Sequence, residues 1–232
     1  DYDKIDKLIN HTHFGEQAKN FLRLLEHEGK FELIGWVRRW VTGSHPALLA
    51  ISALHDKEDF LFCDIESLGL FSRPIILLGI AYFDGDYLES DQYLLRDYDE
   101  EAGIIEQFLQ QTNSRKALVT FNGARFDIPY IMDRAGYYGL HYAQVPPNFD
   151  LLYFCRKTWG NFLPNCRLKT IEKEILQIDR ENDVPSAMVP EFYQTYWETG
   201  NPGPLIPIIE HNRQDMVSMV KILTSLWNEW IN

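Results

Sequence analysis

Three short stretches of the chain carry acids in patterns suited to cation-assisted chemistry. In "FCDIES", Asp64 and Glu66 stand two residues apart in a strand-like segment. Both side chains then point to one side, with Cα atoms roughly 6.5 Å apart, close enough to share a cation. In "TFNGARFDIPYI" (120–131), the pair Asn122-Gly123 follows another strand-like run. It makes a turn that can take positive φ and approach another backbone or a ligand closely. Asp127 comes four residues after that glycine, at the start of a helix. In "IIEHNRQDMVSM" (208–219), His211 and Asp215 lie one turn apart, on the same helix face. Each stretch has an ordinary structural reading when taken alone: an acid at a strand end, an Asp favoured by a helix dipole, a solvated His–Asp pair.

The elements around them decide whether they meet. "FLFCDIE" (60–66), "IILLGIAYF" (75–83) and "YLESDQYLL" (87–95) read as three strands, the last two joined by a tight "DGD" turn at 84–86, so they form an antiparallel meander. A helix over about 99–111 carries Ile104, Ile105, Phe108 and Leu109 at core spacing, and "KALVTF" (116–121) follows as a fourth strand. A strand, helix, strand passage implies a right-handed crossover, which makes the fourth strand parallel to its neighbour. The stretch 141–149 holds a short fifth strand, and helices follow at about 150–158, 168–177, 189–199 and 205–230. The expected fold is α/β: a mixed five-stranded sheet, three strands antiparallel and the rest parallel, flanked by helices, with a helical C-terminal part.

Residues 1–57 read as a mostly helical N-terminal extension, with an amphipathic run over 16–28, and no Gly/Ser/Pro linker divides it from the domain at 58–232. In this arrangement the fourth strand ends at the same sheet edge as Asp64 and Glu66, and Asp127 joins them. Three converging carboxylates repel one another unless cations balance them. Hard oxygen ligands without a His or Cys majority suit Mg²⁺ or Mn²⁺. Two such ions roughly 4 Å apart stabilise the attacking and leaving oxygens of an in-line phosphoryl displacement. Asp215 offers a further acid and His211 a base for the attacking water.

Composition limits the alternatives. The 22 basic and 34 acidic residues give a net charge of −12, the wrong sign for a nonspecific coat on a polyanion. The longest apolar run, Pro74 to Phe83, is about half of what a membrane helix needs, so no membrane role is expected. Cys63, Cys155 and Cys166 are odd in number and far apart in sequence, which reads as reduced thiols in a cytoplasmic protein.

In the order Asp64, Glu66, Asp127, Asp215, with His211 before the last, the chain resembles the DEDD superfamily of 3′–5′ exonucleases on the RNase H-like fold. "FCDIES" is similar to its first motif, "FNGARFDIPYI" to its second and "HNRQD" to its third; the second is close to the proofreading domain of family B DNA polymerases. With "FDLLYFCRK" (149–157), "LKTIEKEIL" (168–176) and "LIPIIEHNRQDMVSMVKIL" (205–223), the chain from about 58 onward looks like the YprB-like group of predicted RNase H-fold exonucleases. The resemblance implies two divalent cations, Mg²⁺ or Mn²⁺, with Asp64 bridging both. It implies Glu66 and Asp215 on one ion, Asp127 on the other directly or through water, and His211 as general base, a task that suits an imidazole. The implied substrate is the 3′ end of single-stranded DNA or RNA, cut to nucleoside 5′-monophosphates, and a larger repair or processing assembly is a candidate partner. His211 stands four residues before Asp215, the spacing of the tyrosine-type branch; the histidine-type branch uses five.

Asn122, Phe126, Asp150, Arg167 and Lys169 are candidate substrate contacts, and Asp150 is equally suited to cap a helix. Arg125, Arg156 and Lys157 are further phosphate-contact candidates, and Phe121 is a second candidate wedge against a terminal base. His11 and His13, near the terminus, and Trp36, Trp40, Trp227 and Trp230, at core-like spacing, read as structural. Two other functions fit the same residues: an endonuclease of the wider RNase H-like group, and a catalytically weak module that binds nucleic acid or a partner.

Overall fold

A computed structural model describes residues 45–70, 72–141, 145–180 and 184–230, with isolated positions 16, 19 and 43. Apart from positions 16 and 19, the predicted helix over 16–28 lies outside the described residues, as do His11, His13, Trp36, Trp40 and the side chain of Trp230.

Five strands form one sheet: β1 (Phe60–Ser67), β2 (Ile75–Asp84), β3 (Tyr87–Leu94), β4 (Ala117–Thr120) and β5 (Asn148–Asp150). Their order is β3-β2-β1-β4-β5. The β1–β2 and β2–β3 pairs are antiparallel, while β1–β4 and β4–β5 are parallel, as the crossover rule requires. Helix α1 (Pro46–Ser52) precedes the sheet, α2 (Glu101–Ser114) makes the crossover, and α3 (Asp127–Tyr137) follows β4. The remaining α-helices among the described residues are α4 (Leu151–Trp159), α5 (Leu168–Glu174), α6 (Val189–Thr199) and α7 (Ile206–Trp230).

The period of two along β1 divides the core. Phe60 and Phe62 face one cluster with Leu48, Leu49, Phe154, Met216, Met219 and Leu223, contributed by α1, α4 and α7. Leu61, Cys63 and Ile65 face a second cluster with Phe108, Ile131 and Tyr193, from α2, α3 and α6. Burial of a large apolar side chain stabilises by about 1.5–3 kcal/mol, so this alternation fixes the register of β1. A slip of one residue would invert every side chain. Asp64 and Glu66 continue the parity of Phe60 and Phe62, and emerge on the α7 side at the C-terminal end of the strand. Trp227 packs on Phe60 with ring centroids 5.8 Å apart and donates to the Ser52 hydroxyl at 2.9 Å. Helix α1, inside the predicted extension, thus shares the core of the sheet.

Candidate active site

Three elements, β1, α3 and α7, carry the predicted acids. Strand β4 pairs β1 only from Phe60 to Phe62. Beyond that pairing the Ile65 N–H donates to the Asp127 carboxylate at 3.1 Å. Asp127 is the first residue of α3 and 5% exposed. His211 and Asp215 come from α7, where His211 Nε2 lies 3.7 Å from Glu66 Oε1 and 3.6 Å from Asp215 Oδ2. The one-turn spacing therefore places the imidazole between the first and third motifs.

The electrostatics follow from the crowding. Burial, then Asp215, Asp127 and Glu66, push the Asp64 carboxyl well above the ordinary carboxylate range, and a hydrogen bond from Asn212 opposes them. Burial raises Asp127 to about 7. Asp215 is also raised by burial, against the attraction of His211 and Arg180. Among the described residues, no three His, Cys, Asp or Glu side chains are already drawn together as a finished metal-ligand cluster. The donor set is nonetheless suited to a hard cation. Its members are carboxylates, and Asp64 stands in the repulsive field of Asp215, Asp127 and Glu66, which a divalent ion would relieve.

A cavity of about 520 Å³ opens beside Asp64 and Asp215, lined by Phe121, Asn122, Arg156, Arg167, Leu168 and Met219, among others. Of the predicted substrate contacts, Asn122 and Arg167 line it. Phe126 does not: it packs on Tyr130 at 5.4 Å, with the cluster on the opposite face of the sheet. Phe121, the other candidate wedge, lines the cavity instead, and between the two phenylalanines Asn122 takes a positive φ of 67°. Lys169, exposed on the first turn of α5, is not among the described residues lining the cavity. Asp150 is 2% exposed and turns inward. Its carboxylate accepts the Asn122, Ala124 and Leu152 N–H groups at 2.8, 3.0 and 3.1 Å, so it caps α4 and pins the second-motif turn. Gly123 completes that turn, since a Cβ there would stand 2.5 Å from the Thr120 side chain.

Two polar groups at the site, Arg180 and Asn212, lie outside the predicted set. Arg180 donates to Asp215 Oδ1 and Glu172 Oε1, both at 2.5 Å, and its other amino group is 3.3 Å from His211 Nδ1. Asn212, fully buried, donates to the Asp64 carbonyl at 3.2 Å and to Asp64 Oδ2 at 2.8 Å. A signal for the second was present: an isolated glycine, Gly79, inside an apolar strand marks close approach by another chain segment.

The sheet order and the helices that flank it define a class, and the chain belongs to the RNase H superfamily, whose profile matches residues 61–227. No helix among the described residues is long and apolar enough to cross a membrane. The Bacillus subtilis (strain 168) protein YprB is 30% identical over 173 residues, a match covering 72% of this chain and 42% of YprB. The chain thus spans about two fifths of that relative's length. Among solved structures, Brucella melitensis NrnC bound to pGG superposes with a TM-score of 0.50 at 18% identity, over 75% of each chain. At that identity the likeness is one of fold.

Proposed function

We propose that this chain is a metal-dependent 3′–5′ exonuclease that hydrolyses phosphodiester bonds at single-stranded DNA or RNA ends and releases 5′-mononucleotides. The observation that supports this most is the gathering of His211 with Asp64, Glu66, Asp127 and Asp215 beside a cavity bearing Arg156 and Arg167. Membership of the RNase H superfamily supports a nuclease. Asp64, Glu66, Asp127 and Asp215 would hold two divalent cations, Mg²⁺ or Mn²⁺. When bound, these supply positive charge to the attacking and leaving oxygens of an in-line displacement.

The chain's own residues have separable tasks in this reading. Arg156 and Arg167 attract the phosphate of the strand end, and their positive charge is local in a chain of net charge −12. Phe121, Leu168 and Met219 give a base an apolar wall. His211, facing Glu66 and Asp215, accepts the proton of the attacking water. The domain at 58–232 carries the activity and 1–57 is an extension. A cytoplasmic setting, consistent with three free thiols, and a larger repair or processing assembly belong to the same proposal.

The test is Mn²⁺-dependent, stepwise shortening of a 5′-labelled single-stranded oligonucleotide from its 3′ end, the label staying on the strand. Asp64→Ala is expected to lower the rate on the order of 10²–10³-fold, the range for removal of one preorganised electrostatic group. Equal rates in the two proteins would defeat the assignment of the site. Cleavage of a closed single-stranded circle would replace exonuclease with endonuclease.

A further inference from the structure

Register places Asp64, Gly79 and Gln92 in one row across β1, β2 and β3, since Asp64 pairs with Gly79 and Gly79 with Gln92. Helix α7 crosses that row. Where a side chain at residue 79 would stand, the Asn212 amide lies instead: a Cβ there would be 2.1 Å from Asn212 Oδ1 and 2.8 Å from Met216 Cε. The missing Cβ thus opens a slot that leads the amide to Asp64.

Hydrogen-bond chemistry sets the direction of that amide from both ends. Gln92 Nε2 donates at 2.8 Å to the Ile209 carbonyl, which can only accept, so the nitrogen end of Gln92 is fixed there. The same nitrogen is 2.8 Å from Asn212 Oδ1, so Asn212 turns its oxygen to Gln92 and its NH₂ to Asp64. At the far end the Asp64 carbonyl is again a pure acceptor, 3.2 Å from Asn212 Nδ2. Asp64 Oδ2, at 2.8 Å, therefore accepts as well.

We propose that Asn212, held by Gln92 through the gap at Gly79, is the positioning residue for the Asp64 carboxylate: it fixes Oδ2 and leaves Oδ1 as the oxygen offered to a cation. This rests on the reading of Asp64 as a cation ligand. A donated hydrogen bond also favours the charged form of Asp64 against burial and three neighbouring acids. Partners that orient metal ligands commonly change metal affinity or activity 10–100-fold when removed, about the effect expected here.

The experiment compares the full chain with Asn212→Leu, which keeps the branched shape but has no donor, and with Gln92→Met, which touches no atom of Asp64. Mn²⁺ binding is followed by electron paramagnetic resonance and turnover at saturating Mn²⁺. Asn212→Leu is expected to weaken Mn²⁺ binding and lower kcat about 10–100-fold with KM for the oligonucleotide unchanged. Gln92→Met moves both in the same direction by less, and the double variant is no worse than Asn212→Leu alone. Wild-type Mn²⁺ affinity and kcat in Asn212→Leu, or fully additive losses in the double variant, would overturn the proposal. A third measurement needs neither metal nor activity: exchange of the Asn212 side-chain amide protons by NMR in the ion-free protein. Asp64→Ala is expected to speed that exchange, and an unchanged rate also overturns the proposal. A wild type without Mn²⁺ binding but with this coupling would fail the nuclease reading alone.

Discussion

At the scale of single residues, His211 has two unlike neighbours. Arginine only donates hydrogen bonds and stays charged, so the contact of 3.3 Å between Arg180 and His211 Nδ1 makes Nδ1 the acceptor. The neutral imidazole then carries its hydrogen on Nε2, facing Glu66 and Asp215. A base role at Nε2 needs the lone pair of that nitrogen, so Arg180 has to release Nδ1 first. Nitrogen-15 NMR of labelled histidine tests this: the ion-free wild type should show Nδ1 unprotonated at His211, and Arg180→Met should populate both tautomers. Equal tautomer populations in the wild type would remove Arg180 from this role. Strand period pairs Asp64 with Glu66, helix period pairs His211 with Asp215, and the crossover rule brings Asp127 toward the first pair; what joined α7 to them in the sequence was the family resemblance. Asn212 and Arg180 were not legible, because their meaning depends on register across three strands and on the path of the loop after α5.

The elements hold these residues through a second buried network on the other face of the sheet. Glu101, fully buried on α2, accepts the Ile75 N–H of β2 at 2.9 Å and the Tyr138 hydroxyl at 2.8 Å, and pairs with Arg134 of α3. On α3 as well, the Tyr130 hydroxyl places its one proton between the Arg73 carbonyl at 2.8 Å and the Gly69 carbonyl at 3.0 Å and accepts the Arg73 N–H, which clamps the β1–β2 loop just beyond Glu66. Removing one partner of such a pair strands the other charge, so Glu101→Ala should cost about 3 kcal/mol, measured as a lower urea midpoint. A cost near zero would mean that Arg134 finds water or another acceptor. The long strands and α2, α6 and α7 were legible within two or three residues because their apolar periods are regular. The weak points have local causes. β5 is three residues, Asn148–Asp150, whose strand character comes from pairing with β4. The apolar pattern of α5 runs on to Leu176, but the helix ends at Glu174 and Gln177 takes a left-handed φ of 55°, a conformation that no right-handed helix passes through.

Over the whole molecule, the candidate site concentrates negative charge in a chain that is already acidic, and the cost of doing so depends on pH. Asp127 is raised to about 7, and Asp64 and Asp215 are raised as well. A carboxyl whose folded pKa lies above its unfolded value of about 3.9 binds more protons folded than unfolded across that interval. Stability of the ion-free protein should therefore fall as pH rises through this window and recover as pH drops. Asp59 has the opposite sign, lowered by Lys116 and the Asp56 N–H against burial. Its contribution is lost only at lower pH, outside the window. In chelator, the melting temperature should rise on going from about pH 8 to about pH 5.5, and Asp127→Asn should flatten that dependence and stabilise the ion-free protein at the higher pH. At about pH 8, millimolar Mg²⁺ should raise the wild-type melting temperature by mass action, and Asp64→Asn should blunt the gain. An ion-free melting temperature that falls toward about pH 5.5 would mean that these acids do not share a buried field. If instead both the acid rise and the Mg²⁺ rise occur and both shrink in the same variants, protons and cations relieve one and the same repulsion.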